Sequence, residues 1–215
     1  MKKHIRLILV VLALLICFSI PVQAVVRHGI SHSFTPLAAY NPTGDYAYDI
    51  VQYAKTQLGN GNTYLPNQAW CAAFVNHCAR QVGVSTTDIP NTNSAYTLYT
   101  SGNGVRHTNI SSYTPKKGDL IFFSDSGSLG DITHVGIVDS ATSSYVYTIE
   151  GNYDNRVTRV QRPLSNSDNY IVAYLTPEYT GTQHSWTEYT LYKVCNLCGL
   201  KSYYSQRVIA PIGDN

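Results

Sequence analysis

Apolar residues follow three successive rhythms along this chain. Residues 7–20, LILVVLALLICFSI, form a nearly continuous apolar run behind the basic start MKKHIR. Residues 45–58, DYAYDIVQYAKTQL, then place Ile50, Ala54 and Leu58 at helical intervals beside Ala47 and Val51, with Gly59 as a stop. A Gly/Asn-rich loop, GNGNTYLPNQ, leads to a second helical pattern in which Cys71, Phe74, Val75, Cys78 and Val82 make one stripe, ended by Gly83. A short helix over 93–99 is expected next. The rhythm then changes to short runs rich in Val, Ile, Tyr and Phe: KKGDLIFF, HVGIVDS, SYVYTIEGN, NRVTRVQRP and NYIVAYL, bounded by Gly, Asp, Asn and Ser. Helices first and strands after predict an α+β domain with helices packed on an antiparallel sheet.

The ends of the chain read differently. The basic start, an apolar segment of 14 residues and the small-residue site Val22-Gln23-Ala24 make residues 1–24 a secretory signal peptide. A membrane-spanning helix needs about 20 apolar residues, more than this run supplies. The processed chain is therefore expected to have no stable membrane anchor and to be secreted, extracellular or cell-wall associated. Residues 25–43 read as an extended leader, 44–176 as the main domain, 177–183 as a linker, and 184–215 as a small tail containing CNLCG. Cleavage would remove Lys2, Lys3 and Arg6, leaving 12 basic against 13 acidic residues and no basic face for nucleic acid. Charged residues make up only 13% of the chain while tyrosine occurs 18 times, a weakly charged polar surface of the kind secreted proteins carry.

Four cysteines would survive processing: Cys71, Cys78, Cys195 and Cys198. Seven helical residues separate Cys71 from Cys78 by roughly 10 Å along the axis, beyond the reach of a disulfide. Cys71 falls in the first helical turn, where unpaired N–H groups and the positive end of the dipole favour a thiolate. Either it is a nucleophile or both cysteines are small core residues on a buried stripe. A base would be a histidine elsewhere in the chain. His28 and His32 lie in the leader, His77 points away from the Cys71 face, His107 sits in a polar loop and His184 in the tail. His134 opens the strand HVGIV after the loop SDSGSLGDIT. Glu150 and Asn152 end the next strand, and strand alternation turns them to one side, so either could orient the imidazole.

W-C-A-A-F-V at 70–75, P-K-K-G-D-L-I-F-F at 115–123, H-V-G-I-V at 134–138 and E-G-N at 150–152, in this order, resemble the CHAP family of cysteine- and histidine-dependent amidohydrolases and peptidases, related to papain-like and NlpC/P60 folds. The resemblance spans roughly residues 45–176. It implies a papain-like α+β fold with Cys71 as nucleophile, His134 as general base and then acid, Glu150 as orienter and Asn152 as supporting polar group. Gly118 and Asp119 read instead as a turn before an interior strand. Tyr64, Gln68 and Trp70 are candidates for oxyanion or substrate contacts beside the Cys71 backbone N–H. No cofactor is then required for catalysis. The implied substrate is peptidoglycan, cut between N-acetylmuramic acid and L-alanine or within the stem peptide or cross-bridge. Residues 60–70 contain no carboxylate, so the activity is expected to be calcium-independent.

In the tail, His184, Cys195 and Cys198 have the character of a small structural zinc site whose fourth ligand is missing. A Cys195–Cys198 disulfide or two free thiols are the alternatives. The competing functional class is a non-catalytic wall-binding or scaffolding protein, but none of the four catalytic positions is lost.

Overall fold

The computed structural model describes residues 30–32, 36–37, 39–65, 68–166, 170–181, 186–188, 192–195 and 201–203. The expected signal peptide lies outside the described residues, as do His184 and Cys198 of the expected zinc site. Among the described residues three helices precede most of the strands: α1 (Tyr46–Thr56), α2 (Cys71–Val82) and α3 (Ala95–Ser101). Seven strands form one antiparallel sheet: β1 (Ile30–His32), β2 (Gly104–His107), β3 (Leu120–Phe123), β4 (His134–Ala141), β5 (Tyr145–Tyr153), β6 (Arg156–Pro163) and β7 (Ile171–Pro177). Their order is β1-β6-β5-β4-β3-β7-β2. The α+β class expected from the sequence is the observed one, with Cys71 opening a helix packed on an antiparallel sheet. No described helix is long and apolar enough to cross a membrane.

Strand β3 lies inside the sheet with both of its faces covered, which is why LIFF shows no alternation: all four residues are buried. Leu120 and Phe122 join Val135, Ile137 and Ile149 against Phe74, Val75, Cys78 and the α1 residues Ile50, Val51 and Ala54. Ile121 and Phe123 face the other way, with Val138, Val146, Tyr170 and Tyr174. Each such buried side chain contributes about 1.5–3 kcal/mol relative to exposure. Asp45 caps α1 by accepting from the Tyr48 N–H at 3.1 Å, and Gly83 ends α2 in the left-handed region at φ 86°.

Three segments differ from the sequence reading. The leader supplies β1, paired with β6 through Ile30↔Gln161, Ser31↔Val160 and His32↔Arg159. Backbone pairing to an existing sheet edge makes this strand, and such pairing needs no hydrophobic rhythm. The same holds for β2, whose Val105 is exposed; it pairs with β7, while Arg106 donates to the carbonyls of Tyr99, Thr100 and Gly102 and so closes the end of α3. The expected linker is packed onto the domain as far as Gly181. Thr180 donates through Oγ1 to the buried carboxylate of Asp88 at 2.6 Å, the Ser85 N–H donates to the Thr180 carbonyl, and the Tyr179 hydroxyl donates to the Gly118 carbonyl. Asp88 is fully buried and must find donors, which anchors this stretch. In the tail, β8 (Trp186–Glu188), β9 (Tyr192–Cys195) and β10 (Lys201–Tyr203) form a separate antiparallel sheet in which Cys195 is opposite Trp186.

Candidate active site

The site begins at the N-terminus of α2. Trp70 occupies the capping position and offers no side-chain oxygen, so no capping side chain takes up the N–H groups of the first turn. Cys71 follows as the first helical residue and is buried, 3% exposed. Its own N–H has no intrahelical acceptor at that position. Two glycines let the elements close on it. A Cβ on Gly151 would stand 2.4 Å from Phe74 Cβ and 2.9 Å from a Trp70 ring carbon, so β5 approaches the first turn of α2 only because residue 151 has no side chain. A Cβ on Gly136 would stand 2.7 Å from Glu150 Cγ, so the HVGIV strand leaves room for the carboxylate.

His134 opens β4 beside Cys71 and is 3% exposed, with its Nε2 2.8 Å from Glu150 Oε2. That contact fixes the ring and leaves Nδ1 for the sulfur side. Burial works to raise the Cys71 thiol, but the neighbouring His134 imidazolium and the N–H groups of Val135 and Ala72 favour the anion, and the net shift is downward. Burial works against the His134 cation too; the Cys71 thiolate and then Glu150 outweigh it, and its pKa is raised from 6.5 to about 9. Both shifts favour the thiolate–imidazolium form of the pair over neutral thiol and imidazole.

Glu150 is fully buried, and burial would raise its carboxyl; Arg162, followed by His134, holds it instead well below the usual carboxylate range. Arg162 Nε donates to Oε1 at 2.9 Å and Nη2 to Oε2 at 2.7 Å, while the Thr148 hydroxyl also donates to Oε1. Arg162 comes from β6, where it shares a face with Val160, and is itself 1% exposed. The sequence reading missed it. The available signal was an arginine in register with a core valine two residues away, on a strand paired directly with the one that carries Glu150.

The four expected catalytic residues are not equally placed. Cys71, His134 and Glu150 are brought together. Asn152 is not: it lies at φ 62° in an irregularity of the β5–β6 register between Glu150 and Tyr153, and its side chain makes no hydrogen bond to His134. The bulge breaks the period-two alternation on which its pairing with Glu150 was expected. Trp70 is fully buried, with Nε1 3.3 Å from Asn155 Oδ1 and its ring stacked on Tyr64, so its side chain supports the first turn of α2. The Tyr64 hydroxyl donates to Gln57 Oε1 at 3.3 Å. Gln68 is exposed three residues before Cys71. Gly118 and Asp119 are structural: Asp119 accepts from the Tyr113 and Thr176 hydroxyls and the Lys116 N–H. Among the described residues no group of three or more His, Cys, Asp or Glu side chains could hold a metal.

No curated protein matches the chain. Solved structures similar to the chain include the crystal structure of Ly7917, at 19% identity and TM-score 0.46, covering 63% of this chain and 62% of that one, and the crystal structure of Ly7917 with the hydrolyzing product of MDP, at 18% identity and TM-score 0.43, covering 67% of each. The chain thus spans somewhat less than two thirds of the first. Residues 59–152 match the family model of the CHAP domain, a span that holds Cys71, His134 and Glu150. This segment of the chain is thus similar to the CHAP domain, and the buried cysteine, histidine and glutamate all fall within it.

Proposed function

We propose that the protein is a secreted cysteine hydrolase that cleaves an amide bond of peptidoglycan, either N-acetylmuramoyl-L-alanine or a bond of the stem peptide or cross-bridge. The observation that carries this reading is the buried Cys71–His134–Glu150 alignment, with the thiol shifted down and the imidazole up. The CHAP match supports the choice of substrate.

The chemistry follows from these groups. The Cys71 thiolate attacks the amide carbonyl carbon, and the oxyanion formed is received by the Cys71 N–H at the helix N-terminus, with the exposed Gln68 side chain as second donor. His134 gives its proton to the leaving nitrogen as the C–N bond breaks, releasing an amine and leaving a thioester. Neutral His134 then takes one proton from water, whose oxygen attacks the thioester; the C–S bond breaks, the carboxylic acid product leaves and loses its proton to solvent, and the thiolate–imidazolium pair is restored. Glu150 stays ionised throughout and holds the imidazole.

Secretion through residues 1–24 is part of the proposal, and N-terminal sequencing of the exported protein would begin at Val25. The structural zinc in the tail, held by His184, Cys195 and Cys198, is likewise proposed. Metal analysis of the purified protein with and without Cys195→Ser tests it, and a wild type without zinc overturns it. Digestion of purified peptidoglycan by wild type and Cys71→Ala, with mass spectrometry of the released fragments, tests the enzyme reading. Wild type should release fragments whose masses name the bond; release at background level by both proteins would refute it. Activity in chelator should equal that in buffer.

A further inference from the structure

The Cys71 site does not end at Glu150. Both oxygens of that carboxylate are engaged on the far side by one planar group, since Arg162 Nε and Nη2 meet Oε1 and Oε2 as a fork, while His134 Nε2 meets Oε2 on the near side. The guanidinium is itself fixed in place. It lies 4.1 Å from the centre of the Phe123 ring and 5.3 Å from that of Tyr170, and only Nη1 lacks a hydrogen-bond partner. Phe123 is the cross-strand partner of His134 and its ring also packs against the imidazole at 5.6 Å, so one aromatic side chain supports both ends of the charged row. From β6 to α2 the charges alternate: guanidinium, carboxylate, imidazolium, thiolate. Arg162 lies beyond the residues matched to the CHAP domain.

We propose that Arg162 is a positioning residue of the Cys71 site, clamping the Glu150 carboxylate in the one orientation that keeps an oxygen aimed at His134 Nε2. The proposal rests on the Cys71–His134–Glu150 reading. A buried carboxylate without a counter-charge takes up a proton in the neutral range. Once Glu150 is neutral, the buried His134–Cys71 pair favours neutral imidazole and thiol over the ion pair. Arg162 prevents that step and also fixes the carboxylate plane, which a lysine ammonium could not do. The other ionisable groups around the row are Tyr153 and Tyr170, both shifted upward and so uncharged, with Asp154 and Asp125 acting on them from outside.

The test uses Arg162→Met and Arg162→Lys in the full chain. In Arg162→Met, kcat should fall about 10²-fold with KM within about twofold, the scale seen when an orienting partner is removed. Its acid limb should rise by about one pH unit or more and steepen from one proton to two, because Glu150 now titrates with the pair. In Arg162→Lys the limb should stay in place while kcat falls about tenfold. The pH dependence of Cys71 alkylation by iodoacetamide should show the same limbs and requires no wall substrate. A shifted alkylation limb therefore supports the clamp even if peptidoglycan proves to be the wrong substrate. If Arg162→Met does not fold, Arg162→Lys decides, and wild-type kcat in it overturns the proposal. An unmoved limb in folded Arg162→Met, or loss of folding in both variants, assigns Arg162 to stability alone and overturns it too.

Discussion

Two turns of helix α2 carry one cysteine each, and they differ in nearly everything except burial. Cys71 and Cys78 are both free and buried, 3% and 0% exposed, on the same apolar stripe. At Cys78 burial acts almost alone and pushes the thiol well above its ordinary value. At Cys71 the same burial is outweighed by an imidazolium and by N–H groups at a helix start, and the thiol goes down. Burial alone therefore does not set the direction in which a thiol shifts. The neighbours available at that depth decide it, and a helix N-terminus facing a strand end supplies them where a mid-helix position cannot.

The comparison breaks most sharply at Cys71, the proposed nucleophile. Cys71→Ala should bring hydrolysis to background, a loss on the order of 10⁴-fold or more, while leaving the fold intact. Retained turnover in this variant would show that the reacting group lies elsewhere. Next in size is Glu150→Gln. An amide can still hold the imidazole but cannot stabilise its positive charge, so kcat should fall about 10²-fold. The variant should also be destabilised by roughly 3–5 kcal/mol, because Arg162 is left buried beside a neutral group. Thermal denaturation and steady-state kinetics on one preparation measure both effects; an unchanged melting temperature would contradict the burial argument.

Much of this contrast was legible in the sequence. The stripe in NQAWCAAFVNHCARQVGV placed Cys71 at a helix start and Cys78 beneath it, and the ordered H-V-G-I-V and E-G-N segments named His134 and Glu150. Geometry invisible in one dimension accounts for the rest. Asn152 was paired with Glu150 by strand alternation, which a bulge cancels. Arg162 sits at a register position on a neighbouring strand, and no local pattern ties it to a carboxylate 12 residues earlier. Strands β1 and β2 lie at the two edges of the sheet, where backbone pairing replaces hydrophobic rhythm. Asp88 pins the expected linker through a hydrogen bond 92 residues distant in sequence.

A pH profile sharpens the same contrast. His134 is raised from 6.5 to about 9, so its charged form, which in the proposed mechanism donates to the leaving amine, is present below that value and is lost as pH rises through it. The alkaline limb of kcat/KM should lie near pH 9 and the acid limb below the ordinary thiol value, since the Cys71 thiol is shifted down. The stability contribution has the same sign: a raised folded pKa stabilises fully below about 6.5 and ceases to do so above about 9. Alkylation at neutral pH should label Cys71 before Cys78. An alkaline limb near 6.5 would mean that no ion pair forms.

The smallest effect tests the other cysteine. Cys78 lies fully buried among Phe74, Val75 and the α1 residues, and its thiol has no part in the row of charges that ends at Cys71. Cys78→Ala removes one buried sulfur and leaves a small cavity, a loss of about 1 kcal/mol on the scale of deleting a single buried methyl or thiol group. For a domain of this size that lowers Tm by about 2–4 °C. Because the cavity opens two turns below Cys71, kcat/KM should stay within about twofold. Paired with Cys71→Ala, the variant gives a double dissociation: turnover lost with the fold kept at one turn, stability reduced with turnover kept at the other. A folded Cys78→Ala protein with little activity would instead mean that packing beneath α2 sets the position of the Cys71 sulfur, and the two turns would act as one unit.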